Sequence, residues 1–252
     1  GNDLATHLYY LDTAAVLDNF KVKYRKLYNA DAVNSIDMRF IKSFQNNTLF
    51  VKDKELFEFP EFEKHTVEAF QTLESAGKSL LQAIALYLEL PEDYFEPRVV
   101  NGNSILRAIH YFPIENPDSL PDGAVRAAAH GDINLITLLM GASAEGLEVL
   151  RMDGKWIAIT ALPDQLVVNV GDMLDRLTNH KLKSTIHRVV NPPRDKMGNS
   201  RFSIPFFMHP RSEMDLKCLD SCVSDEFPKL YVDMSAGDFL NERLIELGLK
   251  TK

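Results

Sequence analysis

Between residues 104 and 208 the chain is written in short apolar runs separated by turn residues, and this rhythm limits its fold more than any other feature. The runs are Ser104 to Tyr111, Ala124 to His130, Leu147 to Met152, Trp156 to Ala161, Leu166 to Val170, Thr185 to Val190 and Arg201 to Met208. Their length and their flanking Gly, Pro, Asn and Asp residues predict β-strands. Asp153-Gly154, between two of them, is the sequence of a tight two-residue hairpin turn. Gly171-Asp172 closes another. Many short strands with turns between them call for a β-sandwich or barrel rather than a parallel α/β sheet.

The flanks keep a different period. Asp12 or Thr13 can cap a helix in which Leu17, Phe20, Tyr24 and Leu27 recur every three or four residues. After Pro60, the residues Val67, Phe70, Leu73, Leu81, Ile84 and Leu88 form one apolar helical stripe, interrupted at Gly77. Leu90-Pro91 ends it, and residues 91–95 read as one further helical turn. A last helix starts near Ser235, carries Phe239, Leu240, Leu244 and Leu247, and stops at Gly248. The expected fold is mainly β, a jelly roll with flanking helices. With 252 residues, 45% of them hydrophobic, it can bury a core without disulfide or metal staples. The expected organisation is one domain over 1–252: a mostly helical part to 97, a jelly-roll core over 98–234 and a helix over 235–252.

A net charge of −8 leaves no broad basic face for a phosphate backbone, so nucleic acid is not the expected partner. No apolar run is long enough to span a bilayer, and no secretory pattern opens the chain, which points to the cytoplasm. The first residue is Gly1 rather than Met, which leaves a removed upstream segment open; oligomeric state is not readable. The two cysteines, Cys218 and Cys222, are one residue too far apart for a Cys-x-x-Cys redox motif, have acidic Asp220 between them, and cannot complete a zinc site alone.

The chemistry lies in the strands. His130-Gly131-Asp132 places an imidazole and a carboxylate at i and i+2, which share a face on extended backbone and can converge on one ion. His187, on another apolar strand, is the best third donor. Two histidines and one carboxylate form the facial triad of non-haem iron(II) oxygenases, although zinc accepts the same ligands. Arg201 and Ser203 also stand at i and i+2. A guanidinium forks onto a carboxylate through two charged hydrogen bonds and a hydroxyl adds a third, which suits the distal carboxylate of a dicarboxylate that chelates the metal at its other end.

His130-Gly131-Asp132, His187 and Arg201-Phe202-Ser203 together resemble the H-x-D…H…R-x-S pattern of the iron(II)/2-oxoglutarate-dependent dioxygenases. More narrowly, the chain is similar to the isopenicillin N synthase-like branch in its bacterial iron/ascorbate oxidoreductase form. The words Leu106-Arg107-Ala108-Ile109-His110-Tyr111, Asn169-Val170-Gly171-Asp172-Met173-Leu174, Thr178-Asn179 and His187-Arg188-Val189-Val190-Asn191-Pro192 carry that likeness, which covers roughly residues 80–250. The resemblance implies a double-stranded β-helix core, iron(II), dioxygen, ascorbate as a reductant, and 2-oxoglutarate as a co-substrate decarboxylated to succinate while a small molecule is oxidised. It also implies that Tyr111 contacts the 2-oxoglutarate carboxylate. The short strand, helix and Gly-Phe-x-x-x-x-x-His-Gly stretch with which members begin are missing from residues 1–60. An iron oxidase of the same branch without 2-oxoglutarate, and a non-catalytic jelly-roll binding protein, are the alternatives.

Other residues carry two readings each. Arg107 lies four residues before Tyr111 on the same strand face, about 13–14 Å away at ~3.3 Å per residue, and can reach an anionic group of the substrate or sit in a buried ion pair. Arg126 shares that choice. His180, His209 and Trp156 read as structural, and Asp172 as a turn former after Gly171.

Overall fold

A long helix, α1 (Pro60–Tyr87), bears the apolar stripe after Pro60 and turns it onto a β-sheet. The computed structural model describes residues 42–45, 48–50, 60–140, 144–160 and 165–249. On α1, Phe70, Leu73, Leu81 and Ala85 are buried in one cluster with Ile136, Leu138, Phe206 and Met208 of the sheet. Phe70 meets the edge of the Phe206 ring at 5.1 Å between centroids. Each such large side chain contributes about 1.5–3 kcal/mol when fully buried. Gly77 does not break the helix, as its sequence position suggested. A Cβ there would come within 2.5 Å of the Met208 sulfur, so glycine lets the helix lie close on the strand. After α1 comes a run of turns and a single helical turn, α2 (Glu96–Val99).

The remaining elements run β3 (Ile105–Leu106), β4 (Ile109–Tyr111), β5 (Ala127–His130), β6 (Ile136–Met140), β7 (Leu147–Leu150), β8 (Trp156–Ala158), β9 (Leu166–Val170), α3 (Asp172–Leu177), β10 (His187–Val189), β11 (Arg201–Met208) and α4 (Ala236–Glu246). They are preceded by a hairpin of β1 (Lys42–Gln45) and β2 (Thr48–Phe50). Two antiparallel sheets make the jelly-roll-like core with its flanking helices. One has the order β5-β10-β7-β8; the other runs β3-β11-β6-β9, with β4 also paired to β11.

Several expectations are corrected. Within the first part, Lys42–Gln45 and Thr48–Phe50 pair as a short hairpin that was not expected. The helix around Leu17 to Leu27 falls outside the described residues. β6, the centre of the second sheet, has no counterpart among the predicted strands. Its sequence Ile-Thr-Leu-Leu-Met is apolar on both sides, and Ile136, Thr137 and Leu138 are all buried. The single strand expected from Ser104 to Tyr111 is interrupted at Arg107. Arg107 N–H donates to the Pro205 carbonyl at 3.0 Å, but proline has no N–H to return the bond. The register across β11 nonetheless stays constant, Leu106 facing Phe206 and Ile109 facing Ser203. The β7–β8 turn is longer than two residues: Arg151 N–H reaches the Lys155 carbonyl and Gly154 adopts a φ of +79°. Asp172 opens α3 rather than closing a turn.

The last helix matches its expected start. Ser235 caps α4 by accepting from the Asp238 N–H at 3.1 Å, and Gly248 just beyond the helix has a φ of +70°. The main hydrophobic core thus lies between the helices and one sheet. Between the two sheets the apolar cluster is small, namely Ile109, Tyr111 and Val189 with Ala127 against them. The barrel interior also holds a cavity lined by both apolar and charged side chains.

Candidate metal centre

Register brings the two predicted histidine ligands together. His130 ends β5, His187 begins β10, and the two are direct partners across the strand pair. Their rings stand 4.4 Å apart, tilted by 51°. One ligand atom each from His130, Asp132 and His187 lie within 4.8 Å of one another, a spacing that suits a single ion. Asp132 is buried, His187 half-buried and His130 exposed, so the group sits at the mouth of the barrel.

Asp132 converges as expected, but not through strand alternation. β5 stops at His130, and the carboxylate is turned by the opposite sheet. Its Oδ2 accepts from Thr137 Oγ1 at 2.6 Å and from Asn169 Nδ2 at 2.9 Å. Thr137 is itself bonded by Asn134 Nδ2 at 2.9 Å. Oδ1 stays available and lies 3.8 Å from His187 Nε2. Thr137, Asn134 and Asn169 were not recognised from sequence: the first lies on the missed strand, and Asn169 stood in a noted word without a role.

The histidines are pre-set for a metal. His130 Nδ1 lies 2.7 Å from the Ala128 carbonyl and His187 Nδ1 lies 2.9 Å from that of Thr185. A carbonyl only accepts, so each Nδ1 carries the proton and each Nε2 presents a lone pair. Desolvation of its ring lowers the His130 pKa, opposed by its bond to Ala128 and by the Asp132 charge and assisted by the neighbouring His187 and Arg107 charges. That favours the neutral, ligating form. Two imidazoles and one carboxylate fit iron(II) and leave coordination positions open.

The second predicted pair lies on β11. Phe206 faces α1, so the alternate residues Arg201 and Ser203 face the other sheet. Tyr111 sits directly opposite Arg201, and Ile109 opposite Ser203. Arg201 is 1% exposed. Its guanidinium lies 5.0 Å over the Tyr111 ring and hydrogen-bonds its hydroxyl, while Nε donates to the carbonyls of Ala144 and Glu145. Burial lowers its pKa, offset in part by Tyr111.

Arg107 stands between β3 and β4, 5.5 Å from the Phe207 ring, with its charge felt at His130. Arg126, buried just before β5, meets no carboxylate of an ion pair among the described residues; its Nη2 donates to the Asn199 carbonyl at 3.0 Å. His180 Nδ1 contacts Asp175 at 2.8 Å, Arg188 stacks 4.0 Å over Trp156, and His209 is buried at the end of β11. Asp172 is not among the grouped ligands; burial raises its pKa, opposed by a bond from Ser184. Both cysteines are free thiols.

Among the described residues no helix is long and apolar enough to cross a membrane. Residues 102–210 match the profile of the 2OG-Fe(II) oxygenase superfamily. A 2-oxoglutarate-Fe(II) type oxidoreductase of Emericella nidulans is 35% identical over 173 residues, 67% of this chain and 48% of its own. A proline hydroxylase of Petromyces alliaceus is 32% identical over 195 residues, 75% and 61% respectively. The chain spans about half the length of the curated relatives it matches. In three dimensions it resembles a 2OG-Fe(II) oxygenase family protein of Caulobacter crescentus, 47% identical, with a TM-score of 0.70 over 76% of this chain and 61% of that one. Neurospora crassa T7H, solved with alpha-KG and thymine, is 30% identical with a TM-score of 0.70 over 78% and 59%. The likeness covers the strands that bring His130, Asp132 and His187 together, and with it the chain belongs to the 2OG-Fe(II) oxygenase superfamily, whose metal is iron(II) and whose co-substrate is 2-oxoglutarate.

Proposed function

We propose that this protein is an iron(II) oxygenase that couples oxidative decarboxylation of 2-oxoglutarate to oxidation, by hydroxylation, of a small molecule. The observation that carries this reading is the convergence of His130, Asp132 and His187 within 4.8 Å at the mouth of a barrel whose interior also holds the buried Arg201. Iron(II) with 2-oxoglutarate and dioxygen supplies the oxidising chemistry when bound. His130, Asp132 and His187 are the residues that would hold the metal. Thr137 and Asn169 aim the Asp132 carboxylate, and the carbonyls of Ala128 and Thr185 hold the imidazoles in the ligating tautomer. Arg201 and Ser203 take the distal carboxylate of the co-substrate, and Tyr111 holds the guanidinium between packing and a hydrogen bond.

Arg107 is the substrate-facing cation in this reading, supported by its position beside Phe207 and its electrostatic reach to His130. A substrate bearing a carboxylate or another anionic group suits it; thymine and proline belong to the relatives named above. Residues 98–234 act as one catalytic unit with α4 as its support.

The test is to load the purified protein with iron(II), add 2-oxoglutarate in air, and screen small metabolites for stimulated succinate formation. Succinate release that depends on iron, rising in the presence of one compound that is itself oxidised, supports the reading. Oxidation of that compound at full rate without 2-oxoglutarate contradicts it and assigns the Arg201–Ser203 pair to the substrate's own carboxylate.

A further inference from the structure

The barrel interior holds a second buried guanidinium. Arg126 is 6% exposed and Arg201 1%, and both line one cavity of about 430 Å³ with Leu139, Leu147 and Val167. None of His130, Asp132 and His187 lies on its wall, so of a metal-bound dicarboxylate only the distal end would reach it, at the two guanidinium groups. Arg126 Nε and Arg201 Nη1 are buried N–H groups without a hydrogen-bond partner. Guanidinium groups so placed are costly unless an acceptor is present, because each lost hydrogen bond to water goes unreplaced. Among the described residues no carboxylate pairs with either; Lys196, also on the cavity wall, lies 3.9 Å from Glu145, and both of these are exposed. The charge on Arg126 acts directly against that on Arg201. Two buried like charges with free N–H groups on one cavity describe a site for an anion with several acceptor oxygens, which is what a carboxylate supplies.

We propose that Arg126 is a second guanidinium of the co-substrate pocket, gripping the distal carboxylate of 2-oxoglutarate together with Arg201. This rests on the function proposed above and adds a specificity device to it. With one arginine, a 2-oxo acid without the distal carboxylate loses a single charged contact. With two it loses both, and it also leaves two buried cations facing each other, so the pocket rejects monocarboxylates such as pyruvate more sharply. Arg126 also fixes the Asn199 carbonyl through Nη2, so its removal has a structural component that the test must separate.

The test is anaerobic equilibrium binding of 2-oxoglutarate and of pyruvate to the iron(II)-loaded protein, with succinate binding to metal-free protein as a second readout. Wild type, Arg126→Gln and Arg126→Lys are compared. The expected result is a loss of about ten- to hundredfold in 2-oxoglutarate affinity for Arg126→Gln, with pyruvate affinity held or raised and iron binding unchanged. Succinate affinity should fall in parallel, and Arg126→Lys should lie between the two, since it keeps the charge and loses the fork. If Arg126→Gln does not fold, the Lys variant decides, by whether 2-oxoglutarate weakens while pyruvate does not. Unchanged 2-oxoglutarate affinity, or an equal loss for both acids, overturns the proposal and makes Arg126 a brace for Asn199. Succinate that binds Arg126 without competing with 2-oxoglutarate overturns it too, and places a separate carboxylate in the cavity. Wild-type protein that binds no 2-oxoglutarate at all sinks the proposed function itself, a result distinct from any of these.

Discussion

Adding one methyl group at Gly171 should damage both stability and the metal site. Gly171 joins β9 to α3, and a Cβ there would lie 2.2 Å from the Asn134 carbonyl oxygen and 2.4 Å from its Oδ1. Ordinary contact begins near 3.4 Å, so the Asn134 backbone must retreat by roughly 1 Å, and backbone cannot swing aside as a side-chain tip does. Asn134 is fully buried and its Nδ2 bonds both the Ile136 carbonyl and Thr137 Oγ1. Overpacking costs about 1–3 kcal/mol, and each weakened buried hydrogen bond adds about 0.5–1.5 kcal/mol. Alanine gives nothing back at this helix-capping position. A total of about 2–4 kcal/mol corresponds to a fall in Tm of roughly 5–15 °C for a chain of this length. Because Thr137 in turn holds Asp132, iron affinity should also fall, by about tenfold or more. Thermal unfolding of metal-free protein and anaerobic iron titration measure the two effects. Gly198→Ala is the control, since a Cβ there meets nothing within 4 Å, and should stay within about 0.5 kcal/mol of wild type. A Gly171→Ala protein with wild-type Tm and iron affinity would refute the idea that a rigid Asn134–Thr137 chain holds the carboxylate.

Thr137→Val keeps the shape of the side chain but removes the hydroxyl bonded to Asp132 Oδ2, and should weaken iron binding about ten- to hundredfold with little change in the fold, as read by metal titration and circular dichroism. Arg201→Lys keeps the charge and loses the planar fork, so the apparent KM for 2-oxoglutarate should rise about ten- to hundredfold; an unchanged KM removes Arg201 from the pocket. Burial pushes the His209 imidazole down to about 4, opposed only in part by the Asp132 charge. The unfolded chain therefore binds a proton below its ordinary value of about 6.5 while the folded chain does not, and stability is lost as pH falls from about 6.5 to about 4, by about 3 kcal/mol in total. His209→Asn should flatten that part of the stability–pH curve in denaturant titrations, and an unaltered slope contradicts the assignment.

The fold was legible where periodicity was clean. β9 and β11 lie at the expected residues, since Leu166–Val170 and Arg201–Met208 are bounded by turn residues and rich in strand formers. β6 was not, because a strand buried on both faces shows no alternation and resembles any apolar run. The break at Arg107 depends on Pro205, a residue nearly a hundred positions away with no local signal at the break. Likewise the three metal ligands were legible as residue types at the right spacing, but the reason Asp132 points inward was not. It depends on Thr137 and Asn169, whose hydrogen bonds exist only once β6 and β9 pair. Arg126 and Arg107 were equivocal for the same reason: whether a cation is paired is decided by tertiary packing.

The most direct test of the central claim is a metal count on the wild type and on His187→Ala, by anaerobic dialysis against iron(II), with succinate formation from 2-oxoglutarate measured on the same samples. One equivalent of iron and iron-dependent succinate in the wild type, with sharply weakened iron binding and no turnover in His187→Ala, is the predicted result. Stoichiometric iron and full turnover in His187→Ala would contradict the assignment of His130, Asp132 and His187 as the metal centre.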